Sequence, residues 1–364
     1  MPKLPATTTL QKLDAILEAE SARRPARQYM GMSQIGDECW RKLFYSFRHA
    51  AKRSISASGI RAIEDGFTQE DIMALRLRKI PGVELITHPN GSQIEFKGHD
   101  GHFSGHADGM VRGLEESPEN WHVWEHKSVN EAKFKTLAKL KEAGEKKALE
   151  AWDPVYYAQA LCYMHYSEVH KHFLTVSTPG GRDYMSIRTD YKKGAAKNVI
   201  DKAKQIIFDN WIAPVGLSDK KEFYKCKWCE YSGICHDGDI PDLNCHTCRY
   251  RDPVEGGKFY CLDHNSDIVR PCNNHIYNPA LIDAEIVDQY DDGTVYKSND
   301  LTWANIRPAG LPEDISVDIF YSSAELFKLG NLNNISAEFE TVKSAFKGEI
   351  DPTAPEWEKT FKGI

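Results

Sequence analysis

"GHADGMVRGLEESPENWHVWEHKSV", residues 105–129, is the stretch on which the reading of this chain turns. Glu125 and Lys127 stand among Val123, Trp124 and Val129, where a strand core calls for hydrophobes. Side chains alternate along a strand, so Trp121, Val123, Glu125, Lys127 and Val129 share one face. "EESPEN", 115–120, is rich in turn formers and predicts an antiparallel hairpin. Centring the hairpin there sets Asp108 opposite Lys127 and diagonal to Glu125, within about 5–8 Å on one face. Two carboxylates and an ammonium then converge.

Charges gathered in this way are costly to bury unless something pairs them. Mg²⁺ does so with one or two carboxylates, keeping water and phosphate oxygens as its other ligands. A lysine beside it positions or helps deprotonate a metal-bound water, or stabilises charge building on phosphorus. The tripeptide alone is weak, since Glu131-Ala132-Lys133 and Glu145-Lys146-Lys147 share its form. The alternative is a solvated strand face carrying a surface ion pair.

Working outward, helices are expected at 8–21, at 37–49 with Asp37 as N-cap, and at 60–78 before Pro81. In the second, Trp40, Leu43, Phe44 and Phe47 form the apolar stripe. Strands are expected at 83–87, 92–98, 102–113 and 121–129. A lysine-rich helix at 130–148 follows, then a buried helix at 153–166 with Pro154 in its first turn. Residues 171–178 and 182–190 read as a hairpin, and 191–211 as an amphipathic helix. The expected fold is α/β, a central mixed sheet flanked by helices, then a Cys-rich metal subdomain and a small α+β tail. The expected division is 1–30 (helix and basic linker), 31–240, 241–282 and 283–364.

The 364 residues contain no apolar run near the roughly 18 residues that span a bilayer, so no membrane partner is expected. The N-terminus lacks a basic region followed by an apolar one, which predicts a cytoplasmic protein. A net charge of −7 excludes an indiscriminate polyanion binder but not a local basic groove.

Two helices add polar groups to the hairpin. Gly66-x-x-x-Glu70 lies before the strands, and Gln159-x-x-x-Tyr163 after them places both polar tips on one helical face. The order G-x-x-x-E, G-x-x-D, E-x-K, Q-x-x-x-Y over residues 35–236 resembles the PD-(D/E)xK nuclease superfamily. The resemblance is to its RecB-like branch, which includes phage lambda-type and CRISPR-associated exonucleases. It implies a restriction-endonuclease-like core. It further implies Mg²⁺ or Mn²⁺ on Glu70, Asp108, Glu125 and the His126 carbonyl, Lys127 as catalytic lysine, and Gln159 and Tyr163 in support. Many cluster-bearing members place His where this chain has Glu70; lambda-type enzymes place Glu.

Nine cysteines in a reducing compartment are poor disulfide candidates, and seven fall between 226 and 272. Cys226-x-x-Cys229-x5-Cys235 plus the remote Cys39 make one four-thiol set. The same RecB-like branch has an iron–sulfur subgroup with this spacing, which implies a 4Fe–4S cluster; a structural zinc is the alternative. Cys245-x-x-Cys248 with Cys261 and Cys272 reads as a zinc-ribbon-like Zn²⁺ site, with His264 and His275 as competing ligands and free thiols as the alternative. Cys162 reads as a buried helix residue.

Lys133, Lys135, Lys139 and Lys141 follow the E-x-K strand and are candidate DNA contacts, with Phe134 as a stacking ring. Arg41, Lys42 and Arg48 are further candidates. Together these readings predict a metal-dependent DNA exonuclease acting on ends or single strands. The predicted setting is phage or mobile-element recombination or DNA degradation, with a recombination protein as a possible partner. The rivals are a catalytically weak DNA- or protein-binding module and an RNA-processing nuclease.

Overall fold

The quoted strand becomes the centre of a five-stranded mixed sheet. In the computed structural model, residues 7–209, 211–267, 272–298, 301–307 and 317–346 are described. The elements run α1 (Thr9–Arg23), β1 (Met30–Gly31), α2 (Trp40–Phe47), α3 (Ala57–Leu77), β2 (Glu84–Ile86), β3 (Ile94–Gly98), β4 (Phe103–Ala107), β5 (Gly109–Arg112) and β6 (His122–Ser128). There follow α4 (Glu131–Trp152), α5 (Pro154–Ser167), β7 (Lys171–Ser177), β8 (Tyr184–Asp190), α6 (Lys193–Phe208) and α7 (Ser232–His236). The chain continues through β9 (Arg251–Val254), β10 (Lys258–Cys261), β11 (Glu285–Tyr290), β12 (Gly293–Ser298), β13 (Leu301–Ile306), β14 (Ile319–Tyr321), α8 (Ser323–Leu329) and α9 (Asn334–Phe346).

The chain divides into two compact units, Met1–Asp37 with Arg53–Gln205 and Glu38–Lys52 with Ile206–Ile364. The first holds the sheet β2-β5-β6-β7-β8 and a smaller sheet β1-β4-β3. Strand β6 pairs β5 antiparallel and β7 parallel, and β7 pairs β8 as the expected hairpin. On one side of the large sheet, Met73, Ala74 and Leu77 of α3 pack with Leu85, Val111, Trp124 and Phe173. Helix α5 is buried from Tyr157 to Met164, nearly all round, as an interior helix must be apolar on every face.

The second unit takes in the helix α2 and the cysteine-rich segment. Its sheet runs β11-β12-β13-β14, and Tyr277, Tyr296, Trp303, Tyr321 and Leu326 belong to its core. Among the described residues no helix is long and apolar enough to cross a membrane.

Four expectations are corrected. Residues 102–113 are two strands in two sheets, broken at Asp108. The pairing is Gly109↔Trp124 and Met110↔Val123, two residues from the expected register. The cause is a tight turn at Glu115–Glu116 closed by a Leu114–Ser117 bridge, so the hairpin centre lies earlier than 115–120 implies. The N-cap of α2 is Cys39, whose sulfur accepts the Lys42 N–H, and not Asp37; Trp40 lies at the surface while Leu43, Phe44 and Phe47 are buried. Helix α4 is interrupted at Gly144, whose φ of 157° no helix sustains.

Candidate active site

Alternation on β6 decides what each side chain meets. Trp124 and Ser128 face α3: the Trp124 ring packs on it, and Ser128 Oγ donates to Asp65 Oδ2 at 3.1 Å. Glu125 and Lys127 face α5. Gln159 Nε2 donates to Glu125 Oε1 at 2.9 Å, and Lys127 Nζ lies 5.3 Å from the centre of the Tyr156 ring. Lys127 also forms a short ion pair with Glu125 Oε1. Gln159 and Tyr163 are one helical turn apart, and Gln159 Nε2 also reaches Tyr163 Oη at 3.1 Å. Tyr163 Oη donates onward to the His106 carbonyl at 2.8 Å. Gly105 leaves room for that ring, since a Cβ there would stand 2.6 Å from Tyr163 Cε1. The glycine of "GHAD" is thus a packing requirement. Gly66 is not, for a Cβ there meets nothing within 4 Å.

Asp108, at the strand break, accepts the His126 N–H through Oδ2 at 2.7 Å. It lies one residue beyond the last pair, Gly109↔Trp124, and so reaches Glu125 and His126 rather than standing opposite Lys127. The His126 ring is fixed between Thr175 Oγ1 at 3.0 Å and Ser177 Oγ at 3.1 Å. Burial, aided by the Lys127 charge, pushes its imidazole down to about 4, so it is neutral.

The electrostatics follow from three carboxylates against one ammonium. Burial, then the Glu125 charge, raises Glu70 to about 7, with Lys127 opposing. Burial, then Glu125, also raises Asp108 well above the ordinary carboxylate range. Burial alone would lower Lys127, but Glu125 and Asp108 outweigh it and hold it as an ammonium. Glu125 is 3 % exposed, and its Oε2 is buried with no hydrogen-bond partner. A buried carboxylate oxygen without a partner is costly, the more so beside further carboxylates. Among the described residues no three His, Cys, Asp or Glu side chains already stand in metal-holding positions. Glu70 is within electrostatic reach of Glu125 and Lys127, but it rides on α3, which packs on the Trp124 side of β6.

Sequence reasoning missed Thr175 and Ser177, which orient His126, and Tyr156, which lies under Lys127. Tyr156 stands three residues before Gln159, a helical spacing that marks it as a neighbour. Asp65, held by Ser128, was likewise missed.

The lysines of α4 are partly committed within the protein. Lys133 pairs with Asp153 at 3.0 Å and lies 5.6 Å over the Tyr156 ring; Lys135 pairs with Glu131 at 3.3 Å. Lys141 donates to the Ser186 carbonyl at 2.7 Å, while Lys139 is exposed. In the second unit Arg41 donates to the Pro214 carbonyl at 2.8 Å. Arg48 is no candidate for DNA: it is buried, stacked on Phe44, and donates to the Ile206 and Asp209 carbonyls.

The cysteines of each set lie within the second unit, and among the described residues neither set stands as a ready metal site. Burial raises Cys226, Cys229 and Cys235, the last to about 11, and the Cys39 thiol adds to all three. Donors aim at the sulfurs: the Lys42 N–H at Cys39, the Tyr231 backbone at Cys229, and Arg41 at Cys235. In the second set burial raises Cys248 to about 11, its sulfur takes the Tyr250 and Ile276 backbone groups, and Cys245 and Cys261 act on it. Cys245 is raised by burial, with Cys272 and Cys261 adding to it. His264 Nε2 lies 3.2 Å from Cys272 Sγ, whereas His275 is buried against Thr247 and the Asn244 carbonyl.

No protein-family model matches the chain, and a search of curated proteins finds no match. Three solved structures resemble it at a distance. SSO0001 shares 15% identity over 63% of this chain and 96% of its own, at a TM-score of 0.36. LHK-Exo, an alkaline exonuclease from Laribacter hongkongensis solved with dAMP, shares 16% over 49% of this chain and 86% of its own, at 0.34. A phage-related exonuclease from Haemophilus somnus 129PT shares 12% over 39% of this chain and 68% of its own, at 0.28.

Proposed function

We propose that the first unit is a metal-dependent deoxyribonuclease, an exonuclease working on DNA ends or single strands. The observation that supports this most is the buried, unpartnered Glu125 Oε2, set beside Asp108 and Lys127 on one strand system. Asp108, Glu125, the His126 carbonyl and Glu70 are the groups that would hold Mg²⁺ or Mn²⁺. When bound, the cation supplies Lewis acidity at the phosphate and a water that ionises near neutral pH.

The chain's own groups do the rest. Lys127, held as an ammonium, donates to the phosphate oxygens as negative charge builds on them. Gln159 fixes Glu125 through Oε1 and leaves Oε2 for the site. Tyr163 orients Gln159 by tying it to the His106 carbonyl. Lys133, Lys135, Lys139 and Arg41 are proposed to meet the DNA backbone, the paired ones by exchanging a surface carboxylate for a phosphate.

In the second unit we propose a 4Fe–4S cluster on Cys39, Cys226, Cys229 and Cys235. Zn²⁺ is proposed on Cys245, Cys248, Cys261 and Cys272. Donors aimed at the sulfurs support both, because N–H groups stabilise metal-bound thiolates. The motif resemblance supports a phage or mobile-element setting, in the host cytoplasm and beside a recombination partner.

The test is degradation of end-labelled linear DNA by the purified full chain, with and without Mg²⁺ or Mn²⁺, with RNA as competitor. Metal-dependent loss of DNA that disappears in Lys127→Ala is expected. Full activity in that variant, or preferential loss of RNA, overturns the reading.

A further inference from the structure

The turn that carries Cys226 and Cys229 shows an unusual surface. Trp228 is 82% exposed and Tyr224 is 67% exposed. Hydrogen bonds from the Cys226 and Lys227 N–H groups to the Phe223 carbonyl, at 2.8 and 2.9 Å, coil the backbone there. Tyr224 and Trp228 are four residues apart on that coil. Each ring has a lysine over it: Lys225 Nζ at 5.7 Å from the centre of Tyr224, and Lys227 Nζ at 5.3 Å from the centre of Trp228. In a chain of net charge −7, residues 220–228 ("KKEFYKCKW") hold four lysines against one glutamate.

We propose that this turn is a binding surface for single-stranded nucleic acid. Unpaired bases stack on Tyr224 and Trp228 while Lys225 and Lys227 swing from the rings to the flanking phosphates. Interleaved aromatic and basic side chains form such platforms, because every base offers a π-face and every nucleotide a charge. A duplex would not serve, since its bases are already stacked on one another. A protein partner fits less well, because the cores of protein interfaces are depleted in lysine. The ion pairs nearby do not stand in the way. Lys225–Glu38 and Lys221–Asp237 are both solvent-exposed, and such pairs are worth little against a phosphate. The choice of ligand rests on the nuclease reading; the surface itself does not.

The experiment measures anisotropy of a fluorescein-labelled oligo-dT with the full chain carrying Lys127→Ala, at several salt concentrations. Adding Tyr224→Ala and Trp228→Ala is expected to weaken binding about tenfold or more, because both stacking faces for bases are removed. Trp228→Phe is expected to keep most of the affinity. Lys227→Glu, which leaves both rings in place, is expected to weaken binding and flatten its salt dependence. Thermal melting and metal content compared with the parent show that each variant is folded. Unchanged oligo-dT affinity in the folded aromatic variant, or in folded Lys227→Glu, overturns the proposal. Ring-dependent binding, when the chain with Lys127 in place degrades no DNA, removes the enzyme reading and leaves this surface standing. Degradation with ring-independent binding does the reverse.

Discussion

Asp108 accepts the backbone N–H of His126 at 2.7 Å, so the residue between β4 and β5 also satisfies β6. Asp108→Asn keeps an oxygen for that N–H, whereas Asp108→Ala leaves it buried and unpaired. We expect the Asn variant to melt near wild type and the Ala variant to lose roughly 1–3 kcal/mol. Both should cleave DNA about 10²-fold more slowly, the scale seen when a metal site loses support. Equal stability of the two variants in urea titration would argue against the assigned bond.

Glu125 and Lys127 form a largely buried pair, with side chains 5% and 21% exposed. Removing one partner strands the other. Lys127→Met should cost roughly 3 kcal/mol of stability and at least about 10²-fold in cleavage. Adding Glu125→Gln should restore much of the stability and none of the activity. A double-mutant cycle by urea unfolding reads this, and strictly additive effects would dissolve the pair.

Tyr163 reaches the site only through Gln159 and the His106 carbonyl. Tyr163→Phe should therefore cost about 1 kcal/mol in stability and only a few-fold in cleavage rate. Gln159→Leu leaves Glu125 Oε1 held by Lys127 alone and should cost more activity than Tyr163→Phe. Kinetics at saturating Mg²⁺ check the ranking, which the opposite order would refute.

Burial, then Lys127 and His122, pushes His172 down to about 3. An unfolded His titrates near about 6.5. Above that pH both states are neutral and His172 adds nothing to the pH dependence. Below it the unfolded chain takes up a proton that the folded one refuses. Stability then falls as pH falls, by up to roughly 1.4 kcal/mol per pH unit for one such group, until the folded pKa is reached. His172→Leu should flatten that slope by one proton between about pH 6 and 4. Urea unfolding across that range measures it, and an unaltered slope counts against the buried neutral imidazole.

The proposed cluster joins Cys39 to Cys226, Cys229 and Cys235, although Cys39 lies far upstream in the sequence. Anaerobically purified protein should be brown and contain iron as well as zinc. Cys39→Ala should lose the iron and the visible absorbance while retaining zinc. Colourless wild-type protein holding zinc alone would replace the cluster with a second zinc.

The hairpin of β7 and β8 was legible because both stretches carry strand formers and the turn between them is rich in glycine. Glu125 and Lys127 on one face were legible because side chains alternate along a strand. The break at Asp108 was not, because period-two patterning does not reveal that a side-chain carboxylate replaces a ladder acceptor. The register escaped by two residues because Glu115–Glu116 makes a tight turn that Pro118 disguises as a longer loop. Glu70 was readable as a helix residue, but its placement on the Trp124 side of β6 depends on how α3 packs. Cys39 as N-cap was hidden because a sulfur seldom takes the place of Ser, Thr or Asp.

Asp153 ends α4 and begins α5 at once. Its backbone N–H closes α4 on the Leu149 carbonyl, its Oδ1 caps α5 at the Val155 and Tyr156 N–H groups, and its Oδ2 holds Lys133. One residue is thus the pivot pin of an elbow whose arms carry the lysine row and Gln159. Lys133 and the root of the helix that steadies Glu125 therefore hang on one carboxylate.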